Sequence, residues 1–269
     1  MAAVSVQDSL NIARTGLQAQ EALLAIKTQN IASQNVDGFK RQYLIMYDLP
    51  YIDHGAVGVA TSQNGTTDTT GVQIGTGVQA AAVYRVFSQG EAIQTGRSLD
   101  VMIDGDGFFM VTLPDGTTGY TRVGSFNRDQ NNTLVMPKTG YVIQPGITLP
   151  QNTLKVSINQ VGEVYAETSP GQEVHVGQIQ LATFLNPSGL LAVGDSIFVQ
   201  TNASGAADVG EPGKNQRGYL KQAYREGSNV NAVEEMTDLI KIEKVYEMLT
   251  KAVKTGDEMM KAANSMGAR

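Results

Sequence analysis

Helical periodicity occurs in this chain only at its two extremes, and that placement constrains the fold more than any other feature. Near the N-terminus Leu10, Leu17, Leu24 and Ile31 recur every seven residues, with Val6 and Ala13 alongside, which draws a narrow apolar stripe along one face of a helix expected over residues 5–33. Near the C-terminus Leu239, Ile242, Tyr246, Leu249, Val253, Gly256, Met260 and Ala263 follow alternating spacings of three and four, the signature of a coiled-coil seam. Asn231 followed by Glu234 resembles a capping box, and Glu234, Glu235 and Asp238 put negative charge at the positive end of a helix expected over residues 231–266. Such a helix is about 54 Å long at 1.5 Å per residue. Glu247 with Lys251 and Asp257 with Lys261 add favourable pairs on its other faces. Stripes this narrow cannot wrap into private cores, so the two ends are expected to pack on each other and on neighbouring subunits.

The long middle reads as short strands separated by turns. Leu99, Val101 and Ile103 alternate; Asp104-Gly105-Asp106-Gly107 interrupts; Phe109, Val111 and Leu113 alternate again before Pro114-Asp115-Gly116, which predicts hairpins. Similar runs cover residues 133–136, 140–143, 154–158, 162–166, 179–185 and 196–200. With no helical pattern between them, they argue for an antiparallel β domain of sandwich or barrel type. Gly38 is placed to supply a left-handed cap after the first helix. Residues 42–84 contain no Lys or Arg and hold six glycines between Gly55 and Gly77, so they are expected to be extended, turn-rich and exposed. The fold class is therefore mainly β with α-helical termini, the paired helices forming a coiled-coil-like domain. The expected divisions are residues 1–38 for the first helix, 39–95 for an extended connection, 96–200 for the β domain, 201–228 for a return connection and 229–269 for the last helix.

Composition narrows the function. Of 269 residues 41% are apolar and 17% charged, with a net charge of −6, so nothing favours a polyanion such as nucleic acid. There is no cysteine, which removes disulfides and thiolate metal sites. Residues 1–6 carry no cationic stretch leading into an apolar one, so no cleavable secretory signal is expected, and no apolar run approaches the ~18 residues of a membrane span.

Catalytic constellations find little footing. The only histidines, His54 and His175, have no local partners for a triad or a zinc site. Asp100, Asp104 and Asp106 lack the further oxygen ligands and the twelfth-position Glu of a calcium loop, so a turn is the expected reading. The glycines of residues 71–77 are not followed by the Lys-Ser or Lys-Thr of a phosphate-binding loop. No metal, cofactor or catalytic residue is assigned.

Two runs at opposite ends carry a family resemblance. Gln29-Asn30-Ile31-Ala32-Ser33-Gln34-Asn35-Val36-Asp37-Gly38-Phe39-Lys40-Arg41 and Ser228-Asn229-Val230-Asn231-Ala232-Val233-Glu234-Glu235-Met236 resemble the signatures of the rod and hook axial proteins of the bacterial flagellum. Gly75-Thr76-Gly77-Val78, the continuous run 99–109, Tyr120-Thr121-Arg122-Val123-Gly124-Ser125-Phe126, the run 184–190 and Glu211-Pro212-Gly213 extend the likeness over most of the chain. It departs at Gln222-Ala223, where the family usually has Gly after Gln, at Glu243-Lys244-Val245-Tyr246 and at Asn131-Asn132. The resemblance implies a homo-oligomer in the form of an open helical tube through the periplasm, terminal helices innermost, that passes motor torque to the hook and lets export proceed through its lumen. Implied partners are the proximal rod and hook proteins, peptidoglycan and outer-membrane ring proteins, the rod cap and the flagellar type III export apparatus. The expected subunit-interface residues are Leu10, Leu17, Leu24, Ile31, Leu239, Ile242, Tyr246, Leu249, Val253, Met260 and Ala263. Residues 51–70 are expected to lie between neighbouring subunits and to keep the tube straight. A sibling axial protein, and more remotely a polysaccharide-acting enzyme on a β scaffold, are the alternatives.

Overall fold

A computed structural model describes residues 6–55 and 72–267. The chain divides into two compact units: one comprises Met1–Ile31, Gln42–Tyr84 and Ala232–Arg269, the other Ala32–Arg41 and Arg85–Asn231.

In the first unit, helix α1 runs over Val6–Ala32 and helix α2 over Ala232–Gly267. Both boundaries fall within a residue or so of expectation, since good helix formers are frequent in each segment, Ala, Leu and Gln in α1 and Ala, Glu, Lys and Met in α2, and no Pro interrupts them. The helices lie antiparallel: Leu10 faces Gly256, Gly16 faces Leu249 and Asn30 faces Glu235. A methyl group on Gly256 would sit 2.8 Å from Leu10 Cδ2, and one on Gly16 would sit 3.2 Å from Leu249 Cδ1, so glycine on each helix admits a leucine from the other. Neither helix is long and apolar enough to cross a membrane.

The described parts of residues 42–84 are extended, as expected, and pair as strands. Strand Gln42–Asp48 pairs with Val78–Arg85, and Tyr51–Gly55 pairs antiparallel with Val72–Gly75, Ile52 opposite Ile74. Aromatic and β-branched side chains suit these strands, and Tyr43 and Tyr84 meet with ring centroids 5.4 Å apart. A two-stranded ribbon is marginal by itself. Here it is clipped to α1 at Gly77, whose φ of +129° lets it pass so close that an added methyl would lie 2.0 Å from Thr15 Oγ1. Residues 56–70, within the segment expected to stiffen a tube, lie outside the described residues.

The second unit is built on a six-stranded sheet in the order Leu191–Gly194, Ile197–Val199, Thr118–Thr121, Phe108–Thr112, Leu181–Thr183, Asp208–Gly210. A three-stranded sheet, Lys155–Ile158, Glu163–Ser169 and Gln172–Gln178, joins it, with short ladders pairing Val101–Asp104 to Tyr219–Gln222 and Ala92–Gln94 to Tyr224–Glu226. The six-stranded sheet ends in two separate edge strands, so the β domain is not a barrel. Strand Phe108–Thr112 is apolar on both faces: Phe109 enters a large core with Val101, Phe126, Ile143 and Leu181, while Phe108 and Met110 enter a second cluster with Tyr120, Phe184 and Phe198. Burial of such side chains contributes roughly 1.5–3 kcal/mol each.

Only half of the expected hairpin punctuation makes hairpins. Pro114-Asp115-Gly116 turns Phe108–Thr112 back onto Thr118–Thr121, but the Asp104–Gly107 break does not fold Val101–Asp104 against the strand that follows. Gly105 and Gly107 have φ values of +113° and +139°, which re-aim the chain so that Val101–Asp104 pairs instead with Tyr219–Gln222 more than a hundred residues later. Gly38 has the expected left-handed φ of +66° but stands six residues beyond α1 and does not cap it. Its N–H donates to the Glu226 carbonyl at 2.9 Å, and an added methyl would lie 3.0 Å from Val123 Cγ2.

The closest backbone approach in the β unit is at Gly124, where a methyl group would fall 1.7 Å from the Val101 carbonyl oxygen. Gly124→Ala is expected to lower stability by more than about 2 kcal/mol through overpacking and loss of the adjoining backbone bond. Gly146→Ala, in open space, is expected to stay within about 0.5 kcal/mol of the parent, as thermal denaturation of the two variants would show.

Candidate functional site

Residues of the two terminal signatures, with others near them in sequence or space, form two polar fastenings, one in each unit. In the helix unit the Lys27 ammonium, on α1, reaches Asp238 Oδ2 at 2.8 Å and Glu235 Oε2 at 3.2 Å, both on α2. Lys27 and Glu235 are almost wholly buried. Asn30 Nδ2 donates to the same Glu235 oxygen at 3.2 Å and to the Gln42 carbonyl at 2.9 Å, while Asn30 Oδ1 accepts the Gln42 N–H at 2.9 Å. One asparagine therefore ties α1, α2 and the start of the ribbon together. Lys241 adds a second donor to Asp238 at 3.1 Å, and hydrogen bonds from Lys27 and Lys241 hold the Asp238 carboxyl below its ordinary value.

In the β unit Lys40, Glu226 and Arg122 form a buried charge triad. Lys40 Nζ lies 2.6 Å from Glu226 Oε1, both side chains fully enclosed, and Arg122 Nη1 lies 3.5 Å from Glu226 Oε2. Lys40 also donates to the Ser88 carbonyl, and Arg122 to the Gly105 carbonyl, each at 2.8 Å. The Arg122 guanidinium stacks 5.2 Å from the centre of the Phe108 ring. Burial lowers the affinity of the Lys40 amine for its proton, Glu226 opposes that shift and Arg122 adds to it. Beside the triad, Asn229 Oδ1 accepts the Arg41 N–H at 2.7 Å and Asn229 Nδ2 donates to the Val86 carbonyl at 2.8 Å. Thus Gly38, Lys40, Arg41 and Asn229 fasten the segment entering the β unit to the segment leaving it.

The expected interface residues divide by position. Ile242 is buried; Leu10, Leu17, Ile31, Leu239, Leu249, Val253 and Met260 are half-buried; Leu24, Tyr246 and Ala263 are exposed. On α1 the more deeply buried line is Ala13, Gly16, Ala19, Lys27 and Asn30, so the heptad leucines flank the seam rather than fill it. On α2, Val245 is the half-buried member where Tyr246 is exposed. What periodicity missed is the apolar surface that α2 leaves open. Val233, Met236 and Ile240 lie off the line of Ile242, Leu249 and Gly256 that meets α1, and Val233 and Ile240 are 74% and 57% exposed. Met248 and Met259 line a groove with Val6 and Ser9 of α1. Helix α2 thus exposes apolar side chains that α1 does not cover, interspersed with Lys244, Glu247 and Lys251.

His175 packs edge-on against Tyr165 with ring centroids 5.4 Å apart, and among the described residues no group of three or more His, Cys, Asp or Glu is placed to hold a metal ion.

Comparison with known sequences bears on the same segments. Residues 102–166 match the family described as flagellar hook protein FlgE/F/G D1 domain, and residues 221–266 match flagellar basal body rod FlgEFG protein C-terminal. The flagellar basal-body rod protein FlgG of Caulobacter vibrioides is 42% identical over 260 residues, covering 96% of this chain and 98% of that protein. The Agrobacterium fabrum protein of the same name is 41% identical over 252 residues, covering 93% and 96%. The flagellar hook protein FlgE of Borreliella burgdorferi is 32% identical over 151 residues, 56% of this chain and 33% of that protein.

Two measurements test the helix fastening. Lys27→Met removes the ammonium from the enclosed Glu235 carboxylate and should destabilise the helix pair by about 3 kcal/mol, while adding Glu235→Gln should recover part of that loss in chemical denaturation. Asp238 stabilises the folded form above its ordinary value of 3.8, and this contribution is lost as pH falls through the lowered value of the folded state. An acid titration of helix content should accordingly be flatter below pH about 4 in Asp238→Asn than in the parent.

Proposed function

Since the chain belongs to the flagellar basal-body rod protein FlgG family and is a structural component of the basal-body rod, we propose that it builds the distal part of that rod as an open helical tube of identical subunits in the periplasm. The observation that supports this reading is the exposure of Val233, Met236 and Ile240 on α2, off the line that α1 covers. A neighbouring copy covers them by a repeated heterologous contact that does not close. Seams of terminal helices stacked in this way enclose a lumen.

The mechanism is mechanical and non-enzymatic. Torque enters a subunit through contacts with its neighbours and leaves through others, so each subunit must resist shear internally. The Lys27–Glu235–Asp238 fastening opposes sliding of α1 along α2, because displacement by one helical turn would leave a buried carboxylate without its ammonium. The Lys40–Glu226–Arg122 triad acts likewise on the β unit, where it holds the entering and leaving segments side by side.

Assembly within the flagellar axis follows from family membership. The specific neighbours we assign are the proximal rod and the hook at the two ends, the peptidoglycan and outer-membrane rings around the tube, and the rod cap at its growing tip. Delivery is by the flagellar type III export apparatus. A chain free of cysteine suits such a route, since no disulfide can trap it before assembly.

The test is polymerisation of the purified chain followed by electron microscopy. Ile240→Asp, on the outer face of α2, should leave the circular dichroism and melting of the monomer unchanged and abolish tubes, because a carboxylate would have to enter a dry interface at every subunit. Leu249→Asp, which meets Gly16, should both loosen the helix pair and abolish tubes. Normal tubes from Ile240→Asp would remove the outer face from the assembly.

A further inference from the structure

An oxidant that reaches this chain has few places to act. The sequence contains neither cysteine nor tryptophan, so its ten tyrosines are the side chains that give up a single electron most readily, while its methionines are oxidised by oxygen transfer. Among the described residues the ring contacts of tyrosine are with phenylalanine or histidine, save one: Tyr43 and Tyr84 meet with centroids 5.4 Å apart and planes tilted at 49°. Rings at this separation are in contact. Tyr43 stands on Gln42–Asp48 and Tyr84 on Val78–Arg85, the two strands of one ribbon. Leu44 takes the buried face, so Tyr43 points outward, 47% exposed, and Tyr84 beside it is half-buried. A reagent in solution therefore reaches the pair, and the strand pairing keeps the two rings together.

We propose that Tyr43 and Tyr84 are a dityrosine site, at which hydrogen peroxide, acting through a haem peroxidase, closes the ribbon with a carbon–carbon bond. The peroxidase takes one electron from each phenol, and a proton leaves with it. The two radicals join through the carbons ortho to their hydroxyl groups, and the hydrogens at those carbons move to the phenolic oxygens. Two hydrogens are lost in all, and one hydrogen peroxide is reduced to two waters. The new bond joins strands that are distant in sequence and encloses residues 44–83 in a covalent loop. A two-stranded ribbon has few hydrogen bonds and opens readily, so the staple acts where the unit has least cooperative support. Tyr47 and Tyr51, 61% and 58% exposed, meet no other tyrosine ring among the described residues, so oxidation there leads to links between copies instead. The site belongs to the single chain and does not rest on the tube reading.

The test is treatment of the purified full-length monomer with hydrogen peroxide and a haem peroxidase. Blue dityrosine fluorescence should appear while the chain keeps monomer size on a denaturing gel, and the intact mass should fall by two hydrogens, apart from any oxygen gained at methionine. No Lys or Arg occurs in residues 42–84, so digestion by trypsin together with a protease that cuts before aspartate should release residues 42–47 still bound to residues 68–85. Tyr43→Phe and Tyr84→Phe keep both rings and their packing, so each variant should melt like the parent and lose the linked peptide. Amide exchange in Gln42–Asp48 and Val78–Arg85 should be slower in the oxidised parent than in oxidised Tyr84→Phe, which carries the same methionine damage. Dimers joined through Tyr47 or Tyr51 in place of the internal link would overturn the assignment, as would oxygen gained at methionine without any fluorescence, or fluorescence of equal strength from Tyr43→Phe. A link that forms but leaves amide exchange unchanged would overturn its role as a staple of the ribbon.

Discussion

The antiparallel closure of the first segment of the chain on the last is the constraint on which the rest depends. Lys27 and Asp238 are separated by 211 positions, and bringing such distant segments together costs conformational entropy that a narrow apolar stripe repays poorly. The structure answers with close backbone approach at Gly16 and Gly256 and with a buried ammonium shared between two carboxylates. Each element is modest by itself. Together they fix register as well as proximity, since apolar contacts tolerate sliding and a buried ion pair does not.

The same logic recurs in the β unit. Removing Lys40, Glu226 and Arg122 from water is expensive, and hydrophobic residues of similar volume would often serve stability as well. Geometry distinguishes the triad: Lys40 belongs to the segment entering the unit, Glu226 to the segment leaving it, and Arg122 to the body of the sheet domain. Asn229 reinforces the join by binding backbone groups at Arg41 and Val86. A protein that transmits force gains from having entry and exit held against the same rigid body.

Much of this was legible in the sequence, and the gaps have physical causes. The two helices, their limits and the turn at residues 114–116 were readable because periodicity and turn chemistry are local. The strands Gln42–Asp48 and Val78–Arg85 were obscured by the glycines and threonines between them, and Tyr43 to Tyr47 is an apolar run without the alternation that marks a strand. The pairing of Val101–Asp104 with Tyr219–Gln222 leaves no local trace, because Gly105 and Gly107 mark a break without saying what lies beyond it. Lys27, Asn30, Glu235 and Glu226 were invisible as partners for a similar reason: a polar residue on a helix face reads as solvated until its distant counterpart is known. The heptad leucines led to the right helices, yet the seam itself is lined by smaller residues, Ala13, Gly16 and Ala19, which a search for large apolar side chains passes over.

The helix pair also behaves like the stem of a hairpin whose loop is everything from residue 32 to residue 231, ribbon excepted. Register in the stem is set by contacts among Leu10, Gly16, Lys27, Asn30 and their counterparts, none of which involves the intervening β residues. Lengthening, shortening or exchanging the β unit would leave those contacts as they are. An architecture of this kind separates what sets the register of the stem from what is carried between its ends, so that the intervening unit can change in size without altering the contacts that close the stem.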